Sequence, residues 1–153
     1  MFTQIKTSKE NKEIVSVLTR KLGLGTENII ARIAYTYSLS LDRKLDLNDI
    51  QDSLGKEYSK NVLFGELENY YIGLVCVHYQ IYKTDKDLPK YIKMHIDDGL
   101  KIFNEEIRNM NNVDGFDFLS KIIRISVFSH NPVILAIISL SKSLSPKYLR
   151  FSL

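Results

Sequence analysis

Hydrophobic periodicity predicts an all-α protein, a compact bundle of four main helices with a helical extension at its C-terminal end. Three observations carry that expectation. Ile29, Ile30, Ile33, Ala34 and Tyr37 fall on one face at helical spacing. The stretch from about Lys60 to Tyr82 is apolar nearly all round, as a helix covered on several sides would be. Farther on, Tyr91, Ile92, His95, Ile96, Gly99, Leu100 and Phe103 make a stripe, with Lys90, Lys93, Asp97, Lys101 and Glu105 expected to face outward.

The remaining elements follow in order. Phe2, Gln4 and Lys6 alternate against Thr3 and Ile5, which reads as a short extended piece. Thr7 to Glu10 has the Thr-x-x-Glu form of a capping box, in which each side chain reaches a backbone N–H of the other. A first helix is expected from about Ser8 to Leu22, with Ile14, Leu18 and Leu22 as its apolar stripe and Val15 beside it. Gly23 and Gly25 then break the chain, and Thr26 is a good N-cap for a second helix running to about Ser40. Residues 40–60 are polar and punctuated, a loop with one short helical turn.

The run from Lys60 to Tyr82 is expected to be the central core helix, with close approach of a neighbour at Gly73. Asp87 and Pro89 mark the start of the fourth main helix. Residues 109–115 read as a linker. Beyond them an apolar run from Phe116 and a second from Val133 to Leu144 predict a helical hairpin with Pro132 near its corner.

Composition bounds the function. The 153 residues, 44% hydrophobic and 25% charged, suit one soluble globular chain. Its single cysteine, Cys76, cannot form an internal disulfide, which fits a reducing compartment. Neither the N-terminal residues nor the longest apolar run, Val133–Ile138, resembles a signal peptide or a span of roughly 20 residues, so a cytoplasmic location is expected. Residues 1–109 hold 16 basic and 16 acidic residues, and residues 110–153 hold five and two, supplying the whole net charge of +3. Within residues 1–32, six basic residues face three acidic ones. That local excess permits a polyanion partner without demanding one.

No catalytic motif is present. Cys76 and His78 are two apart, so on a helix they lie about 200° apart and cannot ligate one metal. His95 reads as a hydrogen-bonded core residue and Cys76 as a small buried hydrophobe. Asp97-Asp98 and Glu105-Glu106 are adjacent and diverge on a helix surface, unlike an acid/base pair. Glu66 is the one carboxylate expected to find a specific partner, Arg32. No enzyme activity, metal or cofactor is expected.

Three short signatures point further: Asn28-Ile-Ile-Ala-Arg-Ile-Ala34 after a Leu-Gly-Leu-Gly turn, Phe64-Gly-Glu66, and His95-Ile-Asp-Asp-Gly-Leu100. In order and spacing they resemble the DndE family of the bacterial DNA phosphorothioation (DNA sulfur modification) system, over residues about 1–108. The resemblance divides the chain into a DndE-like helical DNA-binding domain, 1–108, and a helical extension, 109–153, packed on that domain or on a partner. It implies a non-catalytic, oligomerising subunit that binds the DNA backbone without strong sequence preference, nicked duplex being the form suggested for the family. Such a subunit works beside sulfur-transferring and ATP-dependent partners that replace a non-bridging phosphate oxygen by sulfur.

The residues expected to touch phosphates are Lys9, Lys12, Arg20, Lys21 and Arg32, joined by Arg43 and Lys44 in the loop. Lys9, Lys12 and Arg20 lie within about 80° of one another on the first helix, and a solvated polar face is the plain alternative. Two other functions remain open. The order strand, helix, turn, helix also matches a ribbon-helix-helix repressor or antitoxin, which needs N-terminal strands paired between two protomers. The other is a protein-interaction module without DNA affinity.

Overall fold

The computed structural model describes residues 2–108, 110 and 114–128, the last four by their backbone alone. The chain is mostly helical with one small antiparallel sheet. In order it forms β1 (Gln4–Lys6), α1 (Lys9–Leu22), α2 (Glu27–Ser40), a 3-10 turn at Leu47–Asp49, β2 (Glu57–Ser59), α3 (Lys60–Phe64), a 3-10 turn at Gly65–Leu67, α4 (Glu68–Tyr79), α5 (Leu88–Arg108) and α6 (Gly115–Phe128).

β1 is the expected extended piece, with Ile5 buried and its neighbours exposed. Its partner lies in the segment expected to be loop. β2 runs antiparallel to it, with Ile5 opposite Tyr58 and Lys6 opposite Glu57, the last pair joined by an ion pair of 2.8 Å. The short helical turn expected in that loop is the one at Leu47–Asp49.

The capping box at Thr7–Glu10 does not form, since the N-cap residue Ser8 makes no side-chain cap bond. Thr7 instead bonds to Lys56, its hydroxyl donating to the carbonyl and accepting the N–H. The free N–H groups at the start of α1 go to distant carboxylates: Ser8 to Asp97 at 3.0 Å and Lys9 to Asp52 at 2.8 Å. Both anions sit at the positive end of the helix dipole. At its other end Gly23, at φ 61, returns its N–H to Thr19.

The central helix is α2. From Ile30 to Ser40 every residue but Arg32 is buried. Polar side chains tolerate this by bonding locally and across the core: Thr36 to the carbonyls of Arg32 and Ile33, Ser40 to that of Tyr37, and the Tyr35 hydroxyl to that of Tyr71 at 2.7 Å. The single helix expected over 60–82 is broken at Gly65 (φ 57) into α3, a 3-10 turn and α4. α4 buries Tyr71, Ile72 and Val75, but Val77 is 79% exposed and Val62 of α3 is 54% exposed. It covers the core from one side.

The close approach expected at Gly73 occurs elsewhere. A Cβ on Gly73 would have nothing within 4 Å, whereas one on Gly99 of α5 would come within 2.1 Å of the Ala34 carbonyl oxygen on α2. The missing side chain at Gly99 is what lets the two central helices lie together. α6 packs on α1 and α2 through buried Phe118, Leu119 and Ile122, with Phe118 edge-on to Phe103 at 5.0 Å. α6 is the first arm of the expected hairpin, while its corner at Pro132 and the second run, Val133 to Leu144, lie outside the described residues. No described helix is long and apolar enough to cross a membrane.

Candidate nucleic-acid interface

α1 turns Asn11, Val15, Leu18 and Leu22 inward, which leaves Lys9, Lys12, Arg20 and Lys21 exposed. Among the described residues none of these four forms an ion pair, although the Asp52 carboxylate on the Lys9 N–H also feels the Lys9 charge. Glu10 is drawn to Lys101 on α5 at 3.2 Å, and exposed Glu13 is the acidic residue left among them. Arg20 and Lys21 also occupy the last turn, where the helix dipole favours cations.

The orientation of that face is set by a buried polar hub that was not legible in the helical periodicity. Lys93 and Asp97, expected to face outward, form an ion pair of 2.6 Å with both side chains only 6% exposed. Asp97 also accepts from the Ser8 N–H and, at 2.6 Å, from the Asn11 amide, whose nitrogen lies 3.2 Å from the Asp97 carbonyl oxygen as well. α5 is covered by α2 along one side and by α1 and β1 along another, so almost no outward face remains between Ile92 and Asp97. The carboxylate is retained there because it satisfies three donors at once.

Arg32 is engaged inside the protein. Its Nε donates to the Leu63 carbonyl at 2.6 Å and its Nη2 reaches that of Val62 at 3.4 Å, while the guanidinium lies 5.9 Å from the Tyr71 ring centre. It therefore satisfies carbonyls of α3 rather than pairing with Glu66, which is exposed.

Arg43 and Lys44 sit in an exposed loop after α2. Arg43 Nη2 bonds to Asp98 Oδ2 at 2.9 Å. The same oxygen accepts the Ser38 hydroxyl at 2.6 Å, so Ser38 in turn accepts from His95 Nδ1–H at 2.8 Å. His95 Nε2 then accepts the Tyr79 hydroxyl proton at 2.8 Å, and the Tyr79 oxygen accepts the Leu45 N–H at 2.9 Å. With His95 neutral, as its burial favours, every donor in this chain has one acceptor. Ser, His and Asp are thus adjacent, but the hydroxyl donates to Asp98 and not to His95, and both Ser38 and His95 are buried. No activated nucleophile results. His95 is the bonded core residue its position in the stripe indicated. Among the described residues no cluster of His, Cys, Asp and Glu could hold a metal ion.

Burial pushes the His95 pKa down to about 3, with His78 and Arg43 adding in the same direction. The unfolded chain takes up this proton near pH 6.5, so between about 6.5 and 3 unfolding is coupled to protonation. Stability is therefore expected to fall as pH drops through that window, by at most about 1.4 kcal/mol per pH unit from this group. Urea melts at pH 7 and 4.5 should show a smaller difference for His95→Gln than for the unaltered protein. An equal difference would remove His95 from the acid response.

A family model described as DNA sulphur modification protein DndE matches residues 4–111. Among solved structures the chain is similar to the crystal structure of DndE from Escherichia coli B7A, involved in DNA phosphorothioation modification. The two share 20% identity with a TM-score of 0.56, over 67% of this chain and 98% of that one, a likeness of fold. No curated protein matches the chain in sequence. The family match ends just after α5, so α6 lies beyond it.

Proposed function

Because the chain belongs to the DndE family of DNA sulphur modification proteins, we propose that it is a non-catalytic, cytoplasmic DNA-binding subunit of the phosphorothioation machinery. It grips the duplex backbone without strong sequence preference and presents it to the subunits that exchange oxygen for sulfur. The observation that carries this reading is the outer side of α1, where Lys9, Lys12 and Arg20 share a face and Lys21 flanks it, all four exposed and none in an ion pair among the described residues. Each cation placed on a phosphate releases condensed counterions, a gain indifferent to base sequence. With the first 109 residues neutral overall, one protomer has few such contacts, and a homo-oligomer would multiply them. The exposed apolar flank of α3 and α4, with Val62, Tyr70 and Val77, is where we place the contact between copies.

Arg43 and Lys44 belong to the proposed surface. Arg32, held by the α3 carbonyls, supports it from behind. A ribbon-helix-helix mode is disfavoured, because the strand it would pair with a second protomer is paired with β2 of the same chain.

The test compares random, nicked and single-stranded DNA at several salt concentrations, with light scattering on the same samples to read the assembly. Replacing Lys9, Lys12 and Lys21 by Ala should weaken binding to every duplex and lower the salt slope by about one unit per lost contact. A folded triple variant with unchanged affinity and slope would refute the assignment of this face.

A further inference from the structure

We propose that the buried chain Tyr79–His95–Ser38–Asp98 is a positioning device for the loop 42–45, holding Arg43 and Lys44 where they meet a phosphate of the DNA backbone. This rests on the DNA-binding reading above. The loop is polar and outward-facing, with Asp42, Arg43 and Lys44 all exposed, and left alone it would sample many conformations. Instead it is fixed from the core side at three points. Tyr79 accepts the Leu45 N–H at 2.9 Å, His78 Nε2–H donates to the Arg43 carbonyl at 3.1 Å, and Asp98 takes Arg43 Nη2 at 2.9 Å. Asp42 makes the turn out of α2 in the left-handed region, at φ 54.

The Tyr79 and Asp98 anchors are two ends of one hydrogen-bonded chain through His95, which fixes both at once. One Asp98 oxygen serves Ser38 and Arg43 together, so the guanidinium is aimed by the core. The Arg43 side chain is nevertheless 51% exposed, and its other N–H donors have no partner among the described residues. A guanidinium oriented by a carboxylate on one side and open on the other is preorganised for a second anion. Its acidic neighbours are Asp42, 3.5 Å from His78 Nδ1, and Asp46, whose carboxylate accepts the Asn48 N–H.

The same helix carries the anchor of the α1 face. Asp97 holds the start of α1 and Asp98 holds the loop, two consecutive residues of α5. The segment between them closes back onto α1 through Asp52 and the Lys9 N–H, around a hollow of about 170 Å³ lined in part by Leu45, Asp49, Met94 and Lys101. Lys9 and Arg43 thus stand at two ends of one braced segment.

Tyr79→Phe removes a single hydroxyl and keeps the ring stacked on Tyr91 at 3.9 Å. DNA affinity is read by anisotropy over a salt series for the full chain, Tyr79→Phe, the pair Arg43→Ala with Lys44→Ala, and the triple combination. Tyr79→Phe should weaken binding by about threefold to tenfold and lower the salt slope, as a lost phosphate contact does. In the background lacking Arg43 and Lys44 it should add nothing, because its effect passes through them. A loss of equal size in both backgrounds would mean general destabilisation and overturn the proposal, as would unchanged affinity in Tyr79→Phe. Hydrogen exchange without DNA gives an independent reading: the Leu45 amide should lose protection in Tyr79→Phe while α2 and α5 keep theirs. Retained protection at Leu45 would also overturn it. If the unaltered protein binds no DNA, the functional reading has failed, an outcome distinct from binding that ignores Tyr79.

Discussion

Replacing Asp97 by Ala should cost about 3–5 kcal/mol of stability, the range seen when one partner of a buried ion pair is removed. The Lys93 ammonium would remain almost fully buried without its carboxylate, and the Ser8 N–H and Asn11 amide would lose their acceptor. For a domain of this size the melting temperature should fall on the order of 10 °C. The combination Lys93→Met with Asp97→Asn should lose much less than Asp97→Ala alone, since it removes the stranded charge and keeps an oxygen for both donors. Thermal melts of the three proteins decide the matter. If Asp97→Ala melted within a degree or two of the parent, the hub would not be what docks α1.

The second large effect concerns two glycines that helix propensity treats alike. Gly99→Ala would place a methyl group 2.1 Å from the Ala34 carbonyl oxygen, a backbone atom that can yield only if α2 and α5 move apart. A cost of about 3 kcal/mol or more is expected, the upper end of overpacking. Gly73→Ala meets nothing within 4 Å and should instead stabilise by about 0.5–1 kcal/mol, through helix propensity. Chemical denaturation of both variants should give shifts of opposite sign. Two shifts of the same sign would contradict the packing described for α2 against α5.

Much of the fold was legible in the sequence, including the short extended start, α1, α2, α5 and the glycines that end α1. Periodicity read α1 and α5 well because each repeats apolar residues at helical spacing, and α2 because Gly23, Gly25 and Thr26 mark its start. It failed where burial is decided by partners distant in sequence. Lys93 and Asp97 have the i, i+4 spacing of an ordinary solvent-exposed pair, and only the arrival of Ser8 and Asn11 makes the position a buried one. α4 is apolar all round and was expected to be central, while α2, with Thr36, Ser38 and Ser40, was not; local bonds to carbonyls and to His95 reverse that ranking.

β2 was missed because three residues carry too little alternation to stand out. At the candidate site, the basic residues of α1 could be named from spacing alone. The engagement of Arg32 with α3 and the chain from Asp98 to Tyr79 could not, because each joins residues far apart in the sequence.

The capping of α1 has a consequence for biosynthesis. Its first free N–H is satisfied by a carboxylate 89 residues farther along the chain. At about 5–20 residues per second, a ribosome takes roughly 4–18 s to reach Asp97 after Ser8 has been joined. Through that interval the Ser8 N–H lacks this acceptor, while Asp52 and β2, synthesised sooner, supply partners for the Lys9 N–H and for β1, so the completion of α5 adds the last of the contacts that seat the start of α1.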